Sequence, residues 1–197
     1  MVTCSRRNKT KQGSIGEPLP NVTVKLVDEN FNEVPVGEVG ELCVQGHNLM
    51  IGYWNRPKET AYALRDGWLH TEDLAYRDED GMLFIVDRLK DMIISSGENV
   101  YPREVEEALM THPDVKEAAV IGIPDKLRGQ AICAYIVPED GGIRDKRMIR
   151  KYLLSRIAAY KVPKEYIFCE QLPRNNTGKV LKKVLRQQAV ENLINRK

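Results

Sequence analysis

Apolar and polar side chains alternate along the first half of the chain, which indicates β-structure. The clearest alternation runs through 22–26, where three aliphatic residues are separated by a threonine and a lysine. This period of two places the apolar side chains of a strand on one face. Further strands are predicted at 41–46, 74–76 and 82–86. One brief helix is predicted at 57–64, because Pro57 suits the first helical position.

The pattern changes near Asp91 to a mixture of helices and strands. Pro102 opens a predicted helix whose apolar residues follow the i, i+3, i+4 spacing. Core strands are predicted at 115–123 and 130–137, a second amphipathic helix around 148–153, and a short strand at 167–168. A last helix is predicted to begin near Thr177, as its N-cap residue. The fold class is therefore α+β, in which a β-rich segment at 13–89 precedes a small α+β domain at 90–197.

Composition narrows the class of protein without identifying it. Of the 197 residues, 42% are hydrophobic and 29% are charged, which excludes a wholly disordered chain. No apolar run approaches the roughly 20 residues needed to span a bilayer, so no membrane span is predicted. The basic residues within 1–12 precede no apolar core, and they predict a disordered tail rather than a signal peptide.

The charge distribution argues against a nucleic-acid-binding protein, and the cysteine spacing argues against a zinc-binding or disulfide-rich protein. The net charge is +2, but the basic excess lies at the two ends and the middle of the chain is acidic. This distribution does not predict a nucleic-acid-binding surface. The four cysteines are far apart in the sequence, which favours neither a zinc site nor a disulfide framework, and no metal site is predicted. Cysteines of this kind fit a reducing cytoplasm.

Two acidic or polar clusters carry groups that can do chemistry, although each also has an ordinary structural explanation. Asp73 could accept hydrogen bonds from vicinal ribose hydroxyls, or it could cap a turn. Arg88 could clamp a phosphate and Gly97 could let a ligand approach the backbone, but both also suit a charged hairpin turn. His70 has no cysteine or second histidine at metal spacing and is expected at the surface.

Two further clusters are basic. Lys179 follows a polar loop, a place from which an ammonium group can stabilise charge on a phosphoryl oxygen. The motif is not the phosphate-binding Gly-x-x-x-x-Gly-Lys-Ser/Thr loop, because its first glycine is absent and Val180 replaces the hydroxyl residue. Tyr160 and Lys164 could hold a phosphorylated ligand such as coenzyme A, or they could belong to a solvated loop.

Taken together and in this order, the clusters resemble the C-terminal third of the adenylate-forming superfamily, which includes acyl-CoA synthetases, firefly luciferase and peptide-synthetase adenylation domains. The resemblance runs from Gly13 to Arg186. It rests on Gly-Tyr-Trp-Asn-Arg-Pro at 52–57, on Thr-Glu-Asp at 71–73 in place of the family's Thr-Gly-Asp, on the hinge and glycine loop at 87–106, and on the catalytic-lysine motif at 173–179. The run Ser-Gly-Glu-Asn-Val-Tyr-Pro at 96–102 is most similar to acid–CoA ligases.

The resemblance implies an enzyme that joins ATP and a carboxylic acid into an acyl-adenylate, with loss of pyrophosphate, and then passes the acyl group to CoA. It implies that 13–89 is a remnant of the large N-terminal adenylation domain and that 90–197 is the mobile C-terminal domain. Mg²⁺ would enter with ATP. The site residues that it implies are Lys179 for catalysis, Asp73 and Arg88 for the nucleotide, Lys90 as the hinge, and Gly97, Arg128, Tyr160 and Lys164 for CoA.

This sequence departs from the pattern of the family that it resembles in two respects. Glu72 replaces a glycine or another small residue and adds negative charge close to a polyphosphate. The phosphate loop and the acyl pocket are absent from these 197 residues, so we expect a truncated ligase that is inactive alone and whose partner is the missing N-terminal domain. The alternative is a nucleotide- or CoA-binding or regulatory remnant that docks on an intact ligase. Exposed strand edges in 13–88 favour a homodimer.

Overall fold

The structure, a computed structural model, describes residues 2–5, 10–142 and 144–195. The chain divides into two compact units, of which the first ends at Lys90 and the second begins at Asp91. Strands dominate the first unit, whereas strands and helices together build the second, which confirms the predicted α+β class. Within the described ranges, no helix is both long enough and apolar enough to cross a membrane.

The first unit is built around one antiparallel sheet. Its elements are β1 (Thr3–Cys4), β2 (Glu17–Pro18), β3 (Val22–Val27), β4 (Gly40–Gly46), α1 (Pro57–Ala63), β5 (Leu64–Arg65), β6 (Trp68–Arg77) and β7 (Leu83–Arg88). The main sheet has the strand order β3-β4-β6-β5, and β7 pairs with β6 as well, whereas β1 and β2 form a separate ladder. The long strand β6 therefore contacts three other strands.

The alternation along β3 determines which face of the first sheet forms the main core. Val24 and Leu26 are buried and lie opposite Val44 and Leu42 of β4 in the antiparallel register. The other face of β4 is buried too, because a second small cluster that includes Cys43 covers it. Since apolar contacts protect both faces, β4 can hold polar groups away from solvent only if they are hydrogen-bonded.

The N-terminal residues differ in part from the disordered tail predicted at 1–12. Thr3–Cys4 pairs with Glu17–Pro18. Gly16 allows this close approach, because a Cβ atom at that position would lie 2.1 Å from the carbonyl oxygen of Cys4. The rest of the prediction falls partly on residues 1 and 6–9, which lie outside the described residues.

The second unit consists of a five-stranded sheet with helices on both faces. Its elements are β8 (Ile93–Ser95), β9 (Glu98–Val100), α2 (Pro102–Met110), β10 (Val115–Asp125), β11 (Gly129–Pro138), α3 (Lys146–Leu154), β12 (Glu165–Phe168) and α4 (Lys182–Asn195). The order is β10-β11-β8-β9, and β12 runs parallel to β11 as an additional neighbour. The 3₁₀ turn Ala159–Lys161 also belongs to this unit, and a second 3₁₀ turn in the described part of the chain, Leu89–Asp91, lies at the boundary between the two units.

The β10–β11 hairpin is buried on both faces. On one face, Val120 and Ile136 pack in a cluster with Leu109 of α2 and Leu153 of α3. On the other face, apolar residues of the two strands pack against α4 through Leu185. Burial on both sides explains why these strands are nearly continuous apolar runs in the sequence rather than alternating ones.

Two details of the second unit differ from the sequence prediction. Helix α4 begins at Lys182, because the Asn175 Oδ1 atom accepts the backbone N–H groups of Thr177 and Lys179, at 3.0 and 2.9 Å, and closes 175–179 into a loop. The strands β8 and β9 were not among the predicted strands, although a hairpin turn was the structural explanation considered for Gly97, and the structure has such a turn there. Ser96 and Gly97 connect the two strands with φ angles of 55° and 83°, the left-handed pair of a two-residue hairpin turn.

Two adjacent leucines in α3 provide a test of this core. Leu153 is fully buried and Leu154 is 41% exposed. We expect Leu153→Ala to lower the free energy of unfolding of the second unit by about 3 kcal/mol, because it leaves a cavity in the core. The matched control Leu154→Ala should cost less than about 1 kcal/mol. Urea unfolding followed by circular dichroism measures both, and equal losses would contradict the assigned buried face.

Candidate functional site

The two residues predicted to bind a nucleotide lie side by side in the first unit. Asp73 on β6 is the register partner of Arg88 on β7, and the Arg88 Nε atom lies 2.6 Å from the Asp73 Oδ1 atom. The Arg88 side chain is 52% exposed and that of Asp73 is 29% exposed. An ion pair this open contributes little to stability, but it presents a carboxylate and a guanidinium together to an incoming ligand.

Asp73 belongs to a bulge in β6. Glu41 lies opposite Leu74 and Cys43 lies opposite His70, so three residues of β6, at 71–73, oppose the single residue Leu42 of β4. A bulge of this kind breaks the regular ladder and redirects side chains. The Thr71 hydroxyl donates a 2.7 Å hydrogen bond to the Leu42 carbonyl and accepts the Asp73 N–H at 3.1 Å. The bulge therefore sets where Asp73 emerges from the sheet.

Glu72, in the middle of the bulge, has a left-handed backbone with a φ of 58°. This conformation is strained for a residue that has a Cβ atom. Its N–H donates to the Oε1 atom of Glu41 at 3.1 Å. A glycine would adopt the same backbone without strain, which gives a physical meaning to the departure from the Thr-Gly-Asp pattern.

His70 is buried, so its predicted place at the surface is wrong. Its Nδ1 atom lies 2.9 Å from the Oε2 atom of Glu41 and 3.4 Å from the Cys43 Sγ atom. The Phe31 ring, from the segment after β3, packs 5.4 Å from the imidazole and covers this face of the sheet. No local pattern in the sequence indicates this burial, because Phe31 and His70 meet only through the fold.

Glu41, Cys43 and His70 form one compact cluster of groups that could bind a metal, within 4.8 Å of one another. The 2.9 Å contact between His70 and Glu41 has the length of a hydrogen bond. Burial, together with the negative charge of Glu41, raises the pKa of the Cys43 thiol to about 12. Cys43 is therefore a neutral thiol near pH 7, and the cluster has the character of a buried hydrogen-bonded group.

A pocket of about 560 Å³ lies in the first unit and includes Arg88 in its lining. Three cationic side chains, two carboxylates and two tyrosines contribute to its walls, and Arg56 is paired with the Glu59 carboxylate at 2.9 Å. The two aromatic rings and the small excess of positive charge suit a ligand that combines negative charge with an aromatic ring. Arg56 and Lys58 were not predicted as site residues, although they flank Pro57 in the run that carries the family resemblance. The charged and tyrosine residues of this lining are Tyr53, Arg56, Lys58, Glu59, Tyr62, Glu72 and Arg88.

In the second unit, two of the predicted CoA residues lie close together. The Ser96 N–H, in the turn that contains Gly97, donates a 3.0 Å hydrogen bond to the Arg128 carbonyl. The Arg128 side chain lies 3.6 Å from the Asp125 carboxylate. The backbone N–H of Leu127 is the main cause that lowers the pKa of Asp125, so this carboxylate holds the β10–β11 loop as an anion.

Lys164 and Tyr160 take more peripheral places in the same unit. The Lys164 N–H donates to the Ile132 carbonyl at 3.0 Å, which attaches it to β11. Tyr160 lies in the 3₁₀ turn Ala159–Lys161 and is 49% exposed. The neighbouring Lys161 is bound by both carboxylate oxygens of Glu104 at 2.7 Å, so it has a structural partner within the unit.

Lys179 ends a tightly bonded loop and is itself exposed. Arg174 holds this loop, because its guanidinium donates to the Gly178 carbonyl and to the Glu117 carboxylate, both at 2.6 Å. The predicted hinge residue Lys90 lies in the 3₁₀ turn Leu89–Asp91, at the boundary between the two units. The Lys179 ammonium is thus carried by an ordered loop that precedes α4.

Comparison with known proteins places these features in a family. The model of the AMP-binding enzyme C-terminal domain matches residues 104–179, and that of the AMP-binding enzyme matches residues 1–54. The long-chain-fatty-acid–CoA ligase of Salmonella typhimurium is 49% identical over 177 residues, which are 90% of this chain and 31% of the relative. A feruloyl-CoA synthase of Amycolatopsis is 48% identical over 177 residues, which are 90% of this chain and 36% of the relative.

Comparison with solved structures also finds CoA ligases. The o-succinylbenzoate CoA synthetase of Bacillus subtilis, in complex with its acyl-adenylate intermediate, matches with a TM-score of 0.82 and 39% identity, over 89% of this chain and 36% of that chain. The chain belongs to the AMP-binding enzyme family, and its relatives support a fragment of an AMP-forming acyl-CoA ligase. It spans about a third of the length of the curated relatives that it matches.

Glu72→Gly tests whether the bulge stores backbone strain. A left-handed backbone costs a residue with a Cβ atom about 1–2 kcal/mol, and glycine avoids this cost. Glycine also loses more conformational entropy on folding, which offsets about 0.5–1 kcal/mol of that gain. We therefore expect Glu72→Gly to stabilise the first unit by about 0.5–1 kcal/mol in urea unfolding. Glu72→Ala is the control, since it removes the charge and keeps the Cβ atom. An equal gain from alanine would attribute the effect to charge instead.

Proposed function

We propose that this chain provides part of the active site of an acyl-CoA ligase that activates a carboxylic acid with ATP and transfers the acyl group to CoA. The observation that carries the proposal is the adjacency of Asp73 and Arg88 across β6 and β7. In this proposal the Asp73 carboxylate accepts hydrogen bonds from the ribose hydroxyls of ATP or AMP. Arg88 contacts the nucleotide through its guanidinium, whose planar fork suits phosphate oxygens.

The second unit would supply different groups to the two half-reactions. Lys179 would stabilise negative charge on the α-phosphate and on the attacking carboxylate during adenylation. The turn at Gly97 would lie beside the pantetheine of CoA during thioester formation, with weaker contacts from Arg128, Tyr160 and Lys164. Lys90 would act as the hinge, since a 3₁₀ turn between two compact units is a suitable place to absorb a backbone rotation.

The acid and the cellular setting belong to the same proposal. The relatives named above act on a long-chain fatty acid and on ferulate, according to their names, and both are carboxylic acids. ATP, AMP and CoA would be the other substrates and products, with Mg²⁺ bound to ATP. The four cysteines are free thiols, which supports a reducing cytoplasm.

We further propose that the chain is inactive without the N-terminal adenylation domain, which would be its partner. The 197 residues contain no glycine-rich phosphate loop. A second candidate function is a nucleotide- or CoA-binding or regulatory module that docks on an intact ligase, which the exposed pocket beside Arg88 favours. Pairing of two copies through strand edges stays a prediction that light scattering can test.

Complementation separates the two functions. The chain is mixed with a separately expressed N-terminal portion of a related ligase, and acid-dependent ATP–pyrophosphate exchange is measured. We expect exchange in the mixture and none with either part alone. Lys179→Ala should abolish that exchange, because the charge on the phosphoryl oxygens loses its ammonium partner. Lys183→Ala, an exposed lysine on α4, is the matched control. Exchange by the chain alone would contradict the proposed dependence on a partner.

AMP binding tests the role of Asp73 directly. We expect Asp73→Asn to weaken AMP binding to the purified chain about tenfold or more, because hydrogen bonds to a charged group contribute about 1.5–3 kcal/mol. Asp66→Asn removes one carboxylate from an exposed turn of the same unit and is the control. Isothermal titration with AMP measures the dissociation constants. Equal affinities of the two variants would contradict the assignment of Asp73.

A further inference from the structure

We propose that Glu41 is a positioning residue, whose buried carboxylate holds the 71–73 bulge in the shape that presents Asp73. This proposal rests on the proposed nucleotide site, because Glu41 acts there through Asp73. Glu41 lies on β4, and its side chain is 11% exposed. It was not among the residues that the sequence predicted to take part in the site.

The bulge creates a need for hydrogen-bond partners that regular strand pairing cannot meet. Since three residues of β6 oppose the single residue Leu42, some backbone groups of 71–73 lose their ladder partners. A buried backbone group without a partner costs free energy comparable to a lost hydrogen bond. The Thr71 hydroxyl supplies two substitute hydrogen bonds, because it donates to the Leu42 carbonyl and accepts the Asp73 N–H. The Glu41 Oε1 atom supplies another, for the N–H of Glu72.

Glu41 uses its second carboxylate oxygen at the other end of the bulge. The Oε2 atom lies 2.9 Å from the Nδ1 atom of His70 and 3.6 Å from the Arg65 guanidinium. A buried carboxylate is retained when such partners compensate its lost hydration. One side chain therefore joins His70, just before the bulge, to Glu72, within it. This bridge fixes the path of the backbone on the N-terminal side of Asp73.

Because of the conformation of Glu72, the bridge through Glu41 determines the shape of the bulge as well as the stability of the unit. The left-handed backbone of Glu72 is disfavoured for a glutamate. The segment is therefore expected to relax to a less strained backbone conformation if the hydrogen bond to Glu41 is lost. Relaxation at Glu72 would rotate the adjoining peptide and displace Asp73 from Arg88. An ordinary buried residue would lower the stability of the unit without selectively changing the shape of this segment.

The test compares three substitutions at Glu41 with one control. Glu41→Leu removes both hydrogen bonds, Glu41→Asp keeps the charge but shortens the reach, and Glu41→Gln keeps an acceptor for the Glu72 N–H. Val24→Ala, on the core face of β3, destabilises the same unit without contacting the bulge. Hydrogen exchange of the Glu72 amide and AMP affinity are measured for each purified chain.

We expect Glu41→Leu and Glu41→Asp to speed exchange of the Glu72 amide about tenfold or more relative to the β3 amides, and to weaken AMP binding about tenfold. Glu41→Gln should restore most of both. Val24→Ala should change exchange throughout the unit and leave AMP affinity near that of the unmodified chain. If Glu41→Leu does not fold, the Asp and Gln variants still decide the matter.

The exchange measurement keeps this proposal separate from the proposed function. If the unmodified chain does not bind AMP, the proposed role of Asp73 in nucleotide binding fails, while the Glu72 amide still reports whether Glu41 holds the bulge. Selective exchange at Glu72 in the Asp variant, reversed in the Gln variant, supports positioning by Glu41. Uniform exchange that matches Val24→Ala would overturn it and leave Glu41 an ordinary buried residue.

Discussion

The candidate site depends on one constraint, which is that every backbone N–H and C=O group taken out of a β-ladder needs another partner. The register shift between β4 and β6 removes 71–73 from regular pairing with β4. The Thr71 hydroxyl and the Glu41 carboxylate take over two of the lost interactions. Because these substitutes come from side chains, the strand can hold an irregular segment within an otherwise regular sheet. Asp73 belongs to that segment and pairs with Arg88 on the neighbouring strand β7.

The second unit meets a different requirement, which is to carry several exposed loops on a small core. The hairpin β10–β11 is buried on both faces and serves as the common support. The turn that contains Gly97 is attached to it through the Arg128 carbonyl, whereas the loop before Lys179 is attached through Arg174 and Glu117. Separate attachments on one buried hairpin hold the two loops independently of each other, which suits the proposed use of one loop for adenylation and of the other for thioester formation.

The sequence predicted the parts of the fold that depend on local patterns. The strand at 22–26 follows from alternation, and the helix from Pro102 follows from apolar spacing and a proline at its start. The start of α4 was misplaced because the Asn175 side chain accepts backbone N–H groups of 177 and 179 and so competes with the helix. His70 was placed wrongly because its burial depends on Phe31, which is far away in the sequence. The family motifs identified Asp73 and Arg88. No local pattern identifies Glu41 as the residue that accepts the N–H of Glu72 in the adjoining bulge.

Glu72 is the point at which the sequence and the backbone disagree most clearly. Among the described residues, five other non-glycine residues have a positive φ, and all five lie in turns or bends, whereas Glu72 lies within a strand. Sequences usually agree with their fold at every level, and the exceptions tend to occur at functional sites. Here the strained residue immediately precedes Asp73 and is held by Glu41. A conformation that costs free energy and is secured by a buried carboxylate is better explained by the need to place Asp73 than by the stability of the sheet.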